Sequence, residues 1–192
     1  MTWLVAGLGN PGDRYANTRH NVGRMVAAEL ARRAGERFRK VRFLPVEAAE
    51  IREAGDRVLL ASSTRFMNES GPSYASLARK HDVEPERVIA VYDELDIAPG
   101  ELRVKLGGGS SHNGVKSLQQ ALRNEPFLHV RIGIGRPPGR QDPADFVLAP
   151  VGKKLETDVA IWVDRAADAV TSLISDGLGP TQDRFNRQAP PG

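Results

Sequence analysis

The chain has no cysteine. That absence removes disulfide frameworks, thiolate zinc sites, iron–sulfur clusters and a cysteine nucleophile together, and it fits a reducing compartment. No apolar run approaches the roughly 20 residues that cross a bilayer. The opening MTWLVAGLGN carries no basic region ahead of its apolar stretch, so no signal peptide is expected and a cytoplasmic location is. Histidines number only four, which leaves little material for a histidine-built metal centre. Internal repeats and low-complexity linkers are also missing.

What is present is ordinary for one globular domain: 192 residues, 40% hydrophobic and 27% charged. The net charge of +3 is modest, but it is unevenly spread. Residues 102–141 hold seven Lys or Arg against the single acid Glu125, whereas 142–183 hold three bases against eight acids. An anionic partner is expected along the basic stretch.

Strand patterns appear at 3–8, 57–61, 87–92, 101–106 and 128–134, and helical patterns at 72–81 and 113–122. Thr18 is placed to cap a helix over about 19–34 with Val22, Met25, Val26 and Leu30 on one face. A long helix is predicted over about 152–176, stopped by Gly177. Alternating strands and helices predict an α/β fold: one domain over 1–179, with a mixed, mostly parallel, twisted sheet flanked by helices. The short Pro99-Gly100 turn suggests that 87–92 and 101–106 pair antiparallel. Residues 180–192 read as a flexible tail.

Five stretches carry chemistry. Gly7-Leu8-Gly9-Asn10-Pro11-Gly12 satisfies the dinucleotide pattern, but the apolar helical period starts only near Val22, too late for a helix N-terminus to meet a pyrophosphate. Asn10 would instead project from the carboxyl end of a strand, where α/β sites gather. His20 falls at the start of the expected helix. There the helix dipole favours neutral imidazole, the form a general base needs, and Arg19 and Arg24 push the same way. Asp93, Glu94 and Asp96 follow a buried strand. Asp93, nearest the strand, is the candidate to orient a histidine, while a turn or a Mg²⁺ site are the competing readings.

The fourth stretch is Gly107-Gly108-Gly109-Ser110-Ser111-His112-Asn113-Gly114, a glycine-rich loop entering a helix. It nearly matches a phosphate-binding loop, but Val115 stands where the lysine belongs and Lys116 comes one residue late. No G-x-S-x-G elbow is present, which argues against a serine nucleophile. In Phe66-Met67-Asn68-Glu69-Ser70-Gly71, the Asn68 amide suits binding a peptide or ester carbonyl, and Met67 reads as core.

Together, GLGNPGDRYANTRHNVG, FMNESG, DELDIAPG, KLGGGSSHNG and VRIGIGRP resemble, in order and spacing, the bacterial-type peptidyl-tRNA hydrolase family. The resemblance implies a monomeric α/β enzyme that needs no metal or other cofactor. Its substrate would be peptidyl-tRNA, cleaved at the ester between the peptide and the 3′ ribose. It implies His20 as general base on water, polarised by Asp93. Asn10, Asn68 and Asn113 would position the ester, ribose and peptide backbone, and Tyr15, Met67 and His112 would line the cleft. Lys105 and Arg131 would clamp the tRNA 5′ phosphate, with Arg103 adding charge nearby. The glycine run departs from the family pattern: Ser110 and Ser111 precede His112, and the loop is one residue shorter. A noncatalytic RNA-binding relative of the same fold is the alternative, and a nucleotide-dependent enzyme a more distant one.

Overall fold

In the computed structural model, which describes residues 1–187, the apolar runs become the middle of one sheet. Its strands are β1 (Thr2–Gly7), β2 (Arg39–Lys40), β3 (Val46–Glu53), β4 (Asp56–Ser63), β5 (Val88–Glu94), β6 (Leu102–Leu106) and β7 (Leu128–Gly133). They lie in the order β2-β3-β4-β1-β5-β7-β6. The four central strands are mutually parallel, while β2, β3 and β6 run antiparallel to their neighbours. Parallel strands are covered on both faces, which is why Leu4–Ala6 and Ile89–Tyr92 are unbroken apolar runs and fully buried.

The helices are α1 (Asp13–Ala16), α2 (Val22–Arg33), α3 (Gly71–Lys80), α4 (Asn113–Ala121), α5 (Pro143–Leu148), α6 (Lys153–Asp176) and α7 (Leu178–Phe185). α2 and α6 close one face over Val5, Leu60, Ile89, Val91 and Val130. α3 and α4 close the other over Leu4, Ala6, Leu59, Ala61 and Tyr92. The result is a single three-layer α/β domain.

The structure corrects the sequence reading at four points. β3 was not anticipated, because Val46–Glu53 is rich in Ala and Glu, which favour helix. It forms a hairpin with β4 through Ala54-Gly55, both at positive φ, the geometry of a tight hairpin turn. β6 pairs with β7 and not with β5. The Pro99-Gly100 turn hooks onto the end of β7, where the Gly100 N–H donates to the Gly133 carbonyl (2.9 Å). β5 thus keeps two parallel neighbours.

Thr18 does not cap a helix. Its hydroxyl donates back to the Tyr15 carbonyl (2.8 Å), Arg19–Asn21 form a 3₁₀ turn, and α2 starts only at Val22. Finally, part of the expected tail is ordered as α7, with Thr181 and Phe185 buried. Just beyond it, the Asn186 amide accepts from the Val104 N–H (2.6 Å) and donates to its carbonyl (3.0 Å), covering the free edge of β6 as a further strand would. Residues 188–192 of that expected tail lie outside the described residues.

Candidate active site

The site exists because α2 can approach β5 closely. A Cβ on Gly23 would drive into the Val91 carbonyl, so only glycine permits the approach. It brings the 3₁₀ turn Arg19–Asn21 over the carboxyl end of β5. There His20 Nδ1 lies 2.9 Å and 3.1 Å from the two carboxylate oxygens of Asp93. Asp93 is 3% exposed and meets a second imidazole, with His112 Nε2 2.8 Å from Oδ1.

The direction of these bonds follows from their surroundings. The Gly114 N–H donates to His112 Nδ1 (3.1 Å), so His112 Nε2–H donates to Asp93. Burial alone would raise the Asp93 pKa, but the imidazoles of His112 and His20 hold it well below the usual carboxylate range. Asp93 is therefore an anion and accepts from His20 Nδ1–H, which leaves Nε2 as the basic lone pair. Burial disfavours charge on His20, but the Asp93 anion more than offsets this, and the imidazole pKa is raised.

This reverses the expectation from the helix dipole and neighbouring arginines. His20 precedes α2 instead of lying in its first turn. The Arg19 guanidinium stacks on Phe146 (4.1 Å to the ring centroid), and Arg24 donates to the Ser63 carbonyl. The nearest strong charge is Asp93.

His20, Asp93, His112 and Asn113 line a cavity of about 270 Å³ walled by Leu95 and Val147. Val147 lies on α5, which is capped by the Asp142 carboxylate accepting from the Ala144 N–H (2.9 Å). Asn113 is exposed at the start of α4. Asn10 lines a separate hollow of about 290 Å³ with Asn21 and Arg24. Its Oδ1 accepts from the Met67 N–H (2.8 Å), and among the described residues nothing engages its Nδ2. Met67 is buried against α4, where a Cβ on Gly114 would strike its sulfur. Asn68 is exposed next to it. Tyr15 packs edge-on against Phe66, with centroids 6.3 Å apart.

The basic residues gather beyond the glycine-rich loop. Lys105 and Arg131 line one hollow with Tyr92, Glu94 and Ser110, and Lys105 donates to the Gly109 carbonyl (3.2 Å). Arg103 stands apart in state, paired with Glu101 at 2.9 Å. His20, Asp93 and His112 are also close enough to share a metal ion. In this structure, however, one nitrogen of each imidazole is turned onto the carboxylate, and the second nitrogen of His112 is occupied by the Gly114 N–H.

One contributor was missed from sequence, and one does more than expected. His112 was expected to line the cleft, but it also shares Asp93. Asn21 was not singled out, yet its amide accepts from the Asn10 N–H and donates to the Asn10 carbonyl, both at 2.9 Å, which holds the glycine turn. A signal existed: the dipeptide His-Asn occurs twice, at 20–21 and 112–113, and the structure brings both copies to one site.

Comparison with known proteins shows what the whole chain is similar to. A family model described as peptidyl-tRNA hydrolase matches residues 4–191. A peptidyl-tRNA hydrolase of Cutibacterium acnes is 47% identical, covering 96% of this chain and 98% of that protein. One from Mycobacterium avium is 48% identical over 95% of this chain and 96% of its own. The crystal structure of peptidyl-tRNA hydrolase from Acinetobacter baumannii superposes with a TM-score of 0.88 at 30% identity, covering 96% of this chain and 94% of that one.

Proposed function

The chain belongs to the peptidyl-tRNA hydrolase family, and from that premise we infer that its cavity hydrolyses the ester joining a peptide to the 3′ ribose of tRNA, with His20 as the general base. The observation that supports this reading most directly is the His20–Asp93 contact: an imidazole whose Nδ1 is turned onto a buried anion, which leaves Nε2 as the basic nitrogen.

The chemistry closes with water alone. His20 Nε2 takes a proton from a water whose oxygen adds to the ester carbonyl carbon. Asp93 stabilises the imidazolium as it forms and keeps the ring in the tautomer that presents Nε2. Amide N–H groups of Asn113 and Asn10 stabilise the developing oxyanion and orient the ester, while Asn68 holds the ribose or peptide backbone. When the tetrahedral intermediate collapses, the departing ribose oxygen recovers the proton from His20 Nε2. General-base help of this kind contributes about 10²–10⁴-fold.

Substrate binding divides over the surface. Tyr15, Met67 and His112 shape the cleft, and Lys105 with Arg131 takes a tRNA phosphate. Peptidyl-tRNA is preferred to aminoacyl-tRNA because a free α-ammonium is costly to desolvate against amide groups that expect a peptide bond. A noncatalytic RNA-binding relative would have no use for a carboxylate held ionised behind an imidazole. No helix of the described residues is long and apolar enough to cross a membrane, and a cytoplasmic monomer suits the reading.

The test is release of N-acyl amino acid from N-acyl-aminoacyl-tRNA, for wild type and His20→Ala, with EDTA present and aminoacyl-tRNA as control. Cleavage of the acylated substrate alone, lost in the variant, is the expected result. Full activity of His20→Ala would overturn the assignment of the base.

A further inference from the structure

Behind His20 and Asp93 runs a column of rings whose inner members, Tyr92, His129 and Phe127, the hydrolytic mechanism does not use. Phe127 stacks on His129 (centroids 4.5 Å, interplanar 16°). His129 meets Tyr92 (5.8 Å), Tyr92 meets His112 (5.0 Å), and His112 meets His20 (4.7 Å). Polar contacts accompany it. His129 Nδ1 is 2.8 Å from the Tyr92 hydroxyl, and Ser110, which lines the same hollow as Tyr92, accepts at Oγ from the His112 N–H (3.1 Å).

His129 is fully buried, and among the described residues its Nε2 has no partner. A buried histidine with one empty nitrogen is costly, and the cost is smaller if that nitrogen is a bare acceptor than if it is an orphaned N–H. The proton therefore sits on Nδ1 and is donated to Tyr92. This bond ties the Tyr92 ring to β7, and that ring packs against His112 with centroids 5.0 Å apart.

We propose that Tyr92 and His129 are positioning residues for the hydrolytic site, holding the ring of His112 so that His112 Nε2–H stays on Asp93 and thereby sets how strongly Asp93 pulls on His20. This rests on His20 acting as the base. His129 faces Lys105 and Arg131, and burial together with these cations lowers its pKa to about 3, so it stays neutral at working pH. The device is thus a fixed brace. Among the described residues, His20 itself faces only Asp93 and His112 as titratable groups at contact distance.

The test uses Tyr92→Phe, His129→Phe and His129→Asn, whose amide nitrogen takes the place of Nδ1. Two readouts are needed: kcat and KM on N-acyl-aminoacyl-tRNA, and NMR titration of the His20 imidazole in the free protein. Tyr92→Phe and His129→Phe should each lower kcat roughly three- to tenfold, the size of one net hydrogen bond, with KM within about twofold. In both, the His20 midpoint should move to higher pH, because a loosened His112 leaves more of the Asp93 charge to His20. His129→Asn should restore most of the kcat and the wild-type midpoint. An unchanged kcat and midpoint in both phenylalanine variants would overturn the proposal. So would losses that are equal in His129→Asn and His129→Phe and that follow thermal stability alone. The imidazole titration needs no substrate, so it judges the brace even if wild type fails to hydrolyse the ester, an outcome that would strike the proposed function instead.

Discussion

Gly23 and the carbonyl of Val91 are packed so closely that no side chain fits between them. Gly23 lies three residues after His20, and Val91 two before Asp93, so this contact sets the spacing of the candidate catalytic pair. Gly23→Ala should push α2 off β5, with an overpacking cost of about 1–3 kcal/mol. Chemical denaturation should show the lost stability, and kcat should fall with it as His20 draws away from Asp93. A variant of unchanged stability and rate would contradict this contact.

The raised pKa of His20 has a definite sign for activity. The base must be neutral, so kcat/KM should fall as pH drops through a midpoint above 6.5, the ordinary histidine value. Asp93→Asn removes the anion that lifts it. The midpoint should then move down while the rate at its plateau falls by about 10²–10⁴-fold, since the imidazolium loses its partner. For stability the sign is opposite: the His20–Asp93 pair contributes fully below pH 6.5, and its contribution fades as pH rises through the raised value.

His129 predicts the opposite pH dependence. Burial, with Lys105 and Arg131 close by, lowers its pKa to about 3, whereas unfolded histidine binds its proton near 6.5. Its contribution to stability is complete above 6.5 and is lost as pH falls from there toward 3. Unfolding free energy measured across that window should lose up to one proton of pH dependence in His129→Phe. An identical slope would mean that His129 titrates normally in the folded protein.

The cationic residues near the glycine-rich loop should not be equivalent. Lys105 is free of carboxylate partners among the described residues, whereas Arg103 is paired with Glu101. Lys105→Ala should weaken tRNA binding and flatten the salt dependence by about one unit of slope. Arg103→Ala should change the slope less, because its charge is already largely balanced. Titrations of deacylated tRNA at several salt concentrations would distinguish them, and equal slopes for the two variants would move the phosphate contact.

Much of this protein can be read along the chain. The buried strands 3–8, 87–92 and 128–134 announce themselves because a parallel strand covered on both faces must be continuously apolar. The long helix over 152–176 shows the helical period, and its end matches the observed Asp176 with Gly177 beyond. The motifs around Asn10, His20, Asn68, Asp93 and Asn113 stand at element ends, where loop composition is constrained by turns and not by the core. What tertiary structure alone decided were relations between distant segments. β6 chose β7 over β5 because hydrogen-bond pairing depends on which edge is vacant, not on loop length. β3 became a strand despite helix-forming residues because β4 offered a partner edge. The pKa of His20 rises because Asp93, 73 residues away in sequence, is its nearest charge, outweighing the local signals of Arg19, Arg24 and an expected helix end. The tie of His112 to Asp93, and of Tyr92 to His129, arises in the same way: a hydrogen bond depends on ångström-scale placement, and only the packed sheet and helices provide it.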